Sequence, residues 1–442
     1  MSGLSERIAL SDTFIRTGRV IEASGTVIKV SGICVSIGDL CELRDRQSGY
    51  SLRAEVVGLS DLYTLLTPLG SLNGVCATME VVPLKQASNV AVGAGLLGRV
   101  IDGQGLPIDD SGPLNCTEWV PLIRPAPSPL KRLPVKDVFS TGIRAIDGLL
   151  TTGLGQRIGI FASAGGGKST LLGMLARGAD SDVNIIVLVG ERGREVREFI
   201  EENLDESSRT TTVTIVATSD RPAMERCRAA LLGTAIAEYF RDQGKRVLLM
   251  MDSVTRYARA LREIGLALGE PPARRGFPPS VFANLPLLVE RAGNNEHGYI
   301  TAFYTVLLED EQDGEDPIGE EVRSLLDGHL ILSKKLAARA HYPAIDVLVS
   351  ASRIMPRLVS SDHNKAAQRV RSLMAKYNDV EMLLQIGEFQ RGSDSLADEA
   401  IDKHQSIREF LCQSSSQLEA HDSCKEKLLA LIGQNDQEAR TT

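Results

Sequence analysis

Residues 161–175 read FASAGGGKSTLLGML: three consecutive glycines, a lysine and two adjacent hydroxyls set between apolar runs. The run at 158–161 is short and apolar, as a buried strand is. From Ser169 onward the spacing is helical. A loop between such elements turns successive backbone N–H groups toward a helix N-terminus, where they attract anions, and glycines let phosphate oxygens approach the main chain. Residues Ala162, Ser163, Ala164, Gly165, Gly166, Gly167, Lys168, Ser169 and Thr170 are therefore candidates for a phosphate cradle. Lys168 would reach the β- and γ-phosphates and the Ser169 hydroxyl would ligate Mg²⁺. The strict pattern GxxxxGK[ST] places glycine where this chain has Ala162.

Working outward, apolar runs at 185–189, 213–217, 247–251, 301–308 and 330–332 alternate with helical patterns. Near-continuous apolar strands between helices indicate an α/β class with a parallel sheet covered on both faces. Two of these runs end in acids. Glu191 follows the run closing at Val189, in IIVLVGERGREVREF, and Asp252 closes the run in KRVLLMMDSVTRYARA. Ligands of open α/β sheets bind beyond the carboxyl ends of strands. A carboxylate at Glu191 can polarise an attacking water; the alternative is a surface loop with i,i+4 charge pairs. Asp252 can hold Mg²⁺ beside phosphates; the alternative is a helix cap.

Upstream, residues 19–84 form short alternating runs punctuated by Gly, Pro, Asp and Ser, the texture of a small antiparallel barrel. The next stretch, Gly- and Pro-rich through RPAPSPLKRLP, reads as connecting structure. After about residue 361 strands stop, and NKAAQRVRSLMAKYNDVEMLLQIG and AIDKHQSIREFLCQ carry helical spacing, with a polar tail beyond them. The expected domains are a β-barrel at 1–90, an α/β domain carrying the glycine-rich loop, with its connecting segment, at 91–360, and a helical domain at 361–442.

Composition narrows the function classes. The chain has 442 residues, 43% apolar and 24% charged, with net charge −8 and no long basic run, which disfavours a sequence-independent grip on nucleic acid. No apolar stretch reaches the ~18–20 residues of a bilayer span. MSGLSERIALSDTF mixes charges among its apolar positions, unlike a signal peptide. Seven scattered cysteines without a CxxC pair read as reduced thiols of a cytoplasmic protein.

GERGREV, MDSVTRYARA, GEPPARRGFPPSVFANLPLLVERAG, LLDGHLILS and HYPAIDVLVSASRIM together resemble the hexameric ATPases related to the catalytic subunit of rotary ATP synthase. ATSDRPAMER, AEYFRDQGKRVLLMMDSVTRYARA and LLQIGEFQRG are most similar to the ATPase of bacterial type III protein secretion, its injectisome branch ahead of its flagellar one. The likeness covers about residues 20–415.

It implies a RecA-like P-loop domain that hydrolyses Mg-ATP in a homohexamer at the inner-membrane export gate. There it would release chaperones from export substrates and meet a central stalk and peripheral stator proteins. Position by position, Glu191 matches the carboxylate that activates the lytic water, and Arg192 an arginine that orients the site. Asp252 matches the Mg²⁺-side acid, Arg353 the arginine finger acting on a neighbouring subunit's ATP, and Tyr342 the aromatic stacking on adenine.

Two departures stand out. FLCQSSS lacks the second adenine-facing aromatic of the rotary subunit, and IGEFQRGSDSLADEA replaces its acidic lever. The rivals are a rotary or vacuolar-type catalytic subunit, which needs a second homologous chain for its ring, a non-catalytic nucleotide-binding subunit, which lacks the acid at Glu191, and an RNA translocase. GEPPARRGFPPS could face a ring's lumen or be an irregular crossing.

Overall fold

The computed structural model describes residues 16–84, 88–163, 165–308 and 316–433. Ala164, the first fifteen residues and the polar tail lie outside them. Strands Gly18–Ser24, Val27–Ser31, Leu40–Arg44, Ser51–Leu59, Thr64–Pro68 and Glu80–Pro83 close into an antiparallel barrel. Its interior obeys the period of two: Leu52, Ala54 and Val56 point inward from one strand and meet Ile28, Val30, Leu43, Leu66 and Val81.

The barrel is fastened to the central domain by buried polar contacts. Arg228 Nη1 lies 2.8 Å from Glu55 Oε2, and Gln104 Nε2 donates to the Leu69 carbonyl at 3.1 Å.

The central sheet runs in the order Ala351–Ser352, Gly328–Leu332, Arg157–Ala162, Tyr299–Leu307, Arg246–Asp252, Val183–Val189, Thr212–Ala217, Val100–Asp102. Its pairs are parallel, except that Ala351–Ser352 runs antiparallel and a short strand, Gly293–Asn294, pairs antiparallel with Tyr299–Leu307. All six apolar runs expected as strands are strands of this sheet.

Part of the stretch read as connecting structure does more than connect, because Val100–Asp102 is an edge strand. Two acids shape it. Asp109 pairs with Arg99 at 2.7 Å and accepts from the Val100 N–H, and the hydrogen bond from Arg99 holds its carboxyl well below the usual range. Asp102 Oδ1 takes the N–H groups of Gln104 and Leu106, closing the turn after the strand.

Strand Val183–Val189 is buried throughout, and apolar but for Asn184, because both its faces are covered. Val183, Ile185, Val187 and Val189 join one cluster with helix Ala223–Asp242, while Ile186 and Leu188 join the other with helix Lys168–Gly178. Helices Ser361–Ile386, Ser395–Leu411 and His421–Gly433 come after the sheet, and their Ala367, Val370, Ile407, Phe410 and Leu428 belong to that second cluster. The helical end of the chain thus continues one face of the central core.

Candidate active site

Strand Arg157–Ala162 aims the glycine-rich loop. Ala162 is its last residue, fully buried and paired with Leu307 on one side and Leu332 on the other. The methyl group at this position packs in the core and does not face the cleft, which explains why alanine serves where the strict pattern has glycine. The loop turns at Gly165 and Gly167, with φ of 83° and 80°, a region that glycine enters without strain. Gly166 lies against Leu332. Helix Lys168–Gly178 then starts with its first N–H groups directed into the loop, anchored by Leu171, Leu172 and Leu175.

Ser163, Gly165, Gly167, Ser169 and Thr170 line a cleft of ≈ 420 Å³. Lys168, Glu191, Arg192, Asp252 and Arg256 line it too. Three of these meet at its floor. The Lys168 ammonium sits 2.6 Å from Asp252 Oδ1 and 3.1 Å from Glu191 Oε1. Glu191 and Asp252 are 6% and 4% exposed, so neither is a surface acid.

The alternatives open in the sequence fall to other residues. The i,i+4 charge pairs are Arg194–Glu198 and Arg197–Glu201, on the exposed side of helix Gly193–Glu202. The cap of helix Val254–Ala267 is Ser253, whose side chain accepts from the Arg256 N–H.

Burial pushes the Asp252 carboxyl above the usual range, against the pull of Lys168. Burial alone would lower the Lys168 ammonium, but Asp252 and Glu191 outweigh it and raise it, so the lysine stays charged. Two buried carboxylates closing on one ammonium, under a backbone N–H cradle, are a donor set that fits a divalent cation beside a polyphosphate. Ser169 and Asp252, the candidates for holding it, both line this cleft.

Two further residues were not singled out in the sequence. Arg256 bonds Glu191 Oε2 at 2.6 Å and the Gly190 carbonyl at 2.7 Å. A Cβ at Gly190 would come within 2.9 Å of the Arg256 side chain, so glycine there lets the guanidinium pass. Its signal was position: four residues after Asp252, it lies in the first turn of the helix that follows that strand. Thr305, in strand Tyr299–Leu307 between Arg157–Ala162, which leads into the loop, and Arg246–Asp252, donates to Asp252 Oδ1 at 2.7 Å. A threonine in so apolar a strand was the available hint.

The remaining sequence candidates lie apart from that floor. Arg192 is the N-cap of helix Gly193–Glu202, with a side chain 80% exposed at the cleft mouth. Tyr342 is 47% exposed, and its ring edge lies 3.7 Å from where a Cβ on Gly167 would sit. It is therefore not core packing and stands beside the loop.

Arg353 is exposed and outside its own cleft. Its N–H bonds the Asp327 carbonyl at 3.0 Å, and Asp327 pairs with Arg157 at the amino end of the loop's strand. The cleft lies at the carboxyl end of that strand, six residues or about 20 Å away.

GEPPARRGFPPS holds a short turn at Arg274–Gly276, with Arg262 stacked over Phe277.

Three family models match: the ATP synthase alpha/beta family beta-barrel domain at 20–85, its nucleotide-binding domain at 142–352, and the T3SS EscN ATPase C-terminal domain at 359–430. A type 3 secretion system ATPase of Xanthomonas euvesicatoria is 58% identical over 416 residues, 94% of each chain. A flagellum-specific ATP synthase of Pseudomonas aeruginosa is 44% identical over 437 residues, 98% of this chain and 96% of that one. Among solved structures, the assembled ATPase EscN of enteropathogenic E. coli matches with TM-score 0.89 and 47% identity, covering 94% of this chain and 100% of that one. EscN in complex with its central stalk EscO matches with TM-score 0.87 and 46% identity, with the same coverage. The chain hydrolyses ATP in the service of protein export, and it belongs to the type 3 secretion ATPases of the ATP synthase alpha/beta family.

Proposed function

We propose that the cleft over Lys168 is where ATP is hydrolysed, with a division of labour among the residues around it. The observation that carries this is the closure of Glu191 and Asp252 on the Lys168 ammonium beneath the glycine-rich loop. The loop's N–H groups and Lys168 bind the β- and γ-phosphates. Ser169 and Asp252 would hold Mg²⁺, which would supply charge neutralisation at the phosphoryl oxygens. Thr305 keeps Asp252 aimed. Glu191, steadied by Arg256, takes the proton of the attacking water. Arg192 orients the cleft mouth, and Tyr342 stacks on adenine.

The working unit is a homohexamer, in which Arg353 completes the site of an adjacent subunit. Around it we place a central stalk, as EscN has in EscO, together with stator proteins, export substrates with their chaperones, and the export gate. Among the described residues no helix is long and apolar enough to cross a membrane, in keeping with peripheral attachment from the cytoplasm through the secretion apparatus.

Glu191→Gln tests the chemistry. The amide keeps the shape but accepts no proton, so Mg-ATP should bind as in wild type while turnover falls by about 10²–10⁴-fold. Hydrolysis near the wild-type rate would remove Glu191 from the mechanism.

A further inference from the structure

We propose that Gln413 is a positioning residue for base recognition: it ties the turn after helix Ser395–Leu411 to the backbone of Tyr342 and so presets the ring that receives the base. This rests on the reading of Tyr342 as the base-stacking side chain.

Gln413 is 4% exposed, and its polar groups are all spent on backbone. Its own N–H donates to the Tyr342 carbonyl at 2.8 Å. Its Oε1 accepts from the Arg144 N–H at 2.9 Å, and Nε2 donates to the carbonyls of Gly142 at 2.8 Å and Gln417 at 2.6 Å. One residue thus joins the entry to the ATPase domain, the Tyr342 loop and the turn at 413–417. Arg144, itself buried, locks the same turn by donating to the carbonyls of Phe410 and Cys412 and pairing with Glu419 at 3.3 Å.

The Tyr342 ring needs this support because it is half exposed: packing does not hold it, so its backbone must. A stacking ring that is already oriented binds without the entropy cost of being ordered by the ligand. The turn that carries Gln413 holds serines at 414–416, all exposed. No second ring is supplied there, which leaves Tyr342 to carry the stacking. The phosphate cradle hangs on a different strand, and the Gln413 turn touches the cradle's helix at the far end, where Arg177 donates to the Ser415 carbonyl at 2.7 Å. Losing the Gln413 side chain leaves the N–H bond to Tyr342 in place but frees the turn that aims it, and should therefore weaken the part of binding due to the base and spare the part due to the phosphates.

The experiment measures equilibrium Kd for Mg-ATP and for inorganic tripolyphosphate with Mg²⁺, on the full chain, for wild type, Gln413→Ala, Tyr342→Ala and the double variant. Base–aromatic stacking sets the expected scale, and Gln413→Ala should weaken ATP by ~3–10-fold while leaving tripolyphosphate within about twofold. The double variant should be no weaker than Tyr342→Ala alone, because Gln413 acts through the ring.

Equal losses for both ligands, or losses that add in the double variant, overturn the proposal. If Tyr342→Ala weakens ATP and Gln413→Ala does not, Gln413 alone is excluded. If Tyr342→Ala has no effect, the stacking reading fails and the proposal with it. Should Gln413→Ala not fold, Gln413→Glu keeps the acceptor for Arg144 and sets a carboxylate against both carbonyls. The same selective loss is expected there, and its absence is equally fatal.

Discussion

Asp252 and Glu225 are both buried carboxylates, and the fold treats them differently. Asp252 has the Lys168 ammonium and the Thr305 hydroxyl within hydrogen-bonding distance. Glu225, on the first turn of helix Ala223–Asp242, is fully buried with neither oxygen hydrogen-bonded, and Arg221 is 3.8 Å away. Burial outweighs Arg221, Asp102 and Asp220 add repulsion, and the carboxyl is pushed up to about 7. The folded chain therefore keeps a proton that the unfolded chain releases near pH 4.5. Below that pH the group contributes nothing. As pH rises through 4.5 to about 7 the folded state loses stability, and above 7 the loss is complete, at most about 3 kcal/mol. Glu225→Gln should unfold with a midpoint matching wild type at pH 4 and above it at pH 8. A pH-independent difference between the two in thermal or denaturant melts would contradict the burial argument.

Helix Ala223–Asp242 carries a second anomaly, a glycine at 233 in its interior. Helix propensity alone favours alanine there by about 1 kcal/mol. Tertiary packing reverses the preference, because a Cβ on Gly233 would stand 2.2 Å from Val187 Cγ2. Val187 is fully buried in a strand paired on both sides, and a β-branched side chain has little freedom to turn away. Gly233→Ala should therefore destabilise by about 1–3 kcal/mol in spite of the helical gain. Val187→Ala should recover much of that loss in the double variant. Denaturant melts showing Gly233→Ala at or above wild-type stability would mean the helix moves off the sheet at little cost.

At the scale of the whole molecule, the role proposed for Arg353 would tie chemistry to assembly. Its backbone sits at the amino end of the sheet, away from its own cleft, so the proposed contact with transferred phosphate would be made in an adjacent copy. Arginine fingers are worth about 10³–10⁵ in rate. Arg353→Ala should bind ATP yet turn over at least 10²-fold more slowly, by roughly that logic. Wild-type specific activity should climb with protein concentration as rings form. Mixing Arg353→Ala with Glu191→Gln should restore part of the activity, since some interfaces then pair an intact Glu191 with an intact Arg353. A demonstrably monomeric wild-type sample with full specific activity, or a mixture no better than its components, would sink the trans assignment.

Features that the chain states locally are legible without a structure. Apolar runs of strand length, glycines before Lys168, and acids closing two of the runs are set by periodicity and turn chemistry within a few residues. The three-part architecture, the glycine-rich loop and the strand-end placing of Glu191 and Asp252 could all be read that way.

Contacts between residues far apart in sequence could not. Lys168 meets Asp252 across 84 positions, and Gln413 meets Gly142 across 271. Val100–Asp102 is too short to announce itself; it becomes a strand because Thr212–Ala217 offers it an open edge. The helices after residue 361 have an ordinary amphipathic pattern, which says that a face is buried but not against what. Sequence period determines which side chains turn inward. Only the order in which strands pair, set by packing of the whole core, decides which of them share a site.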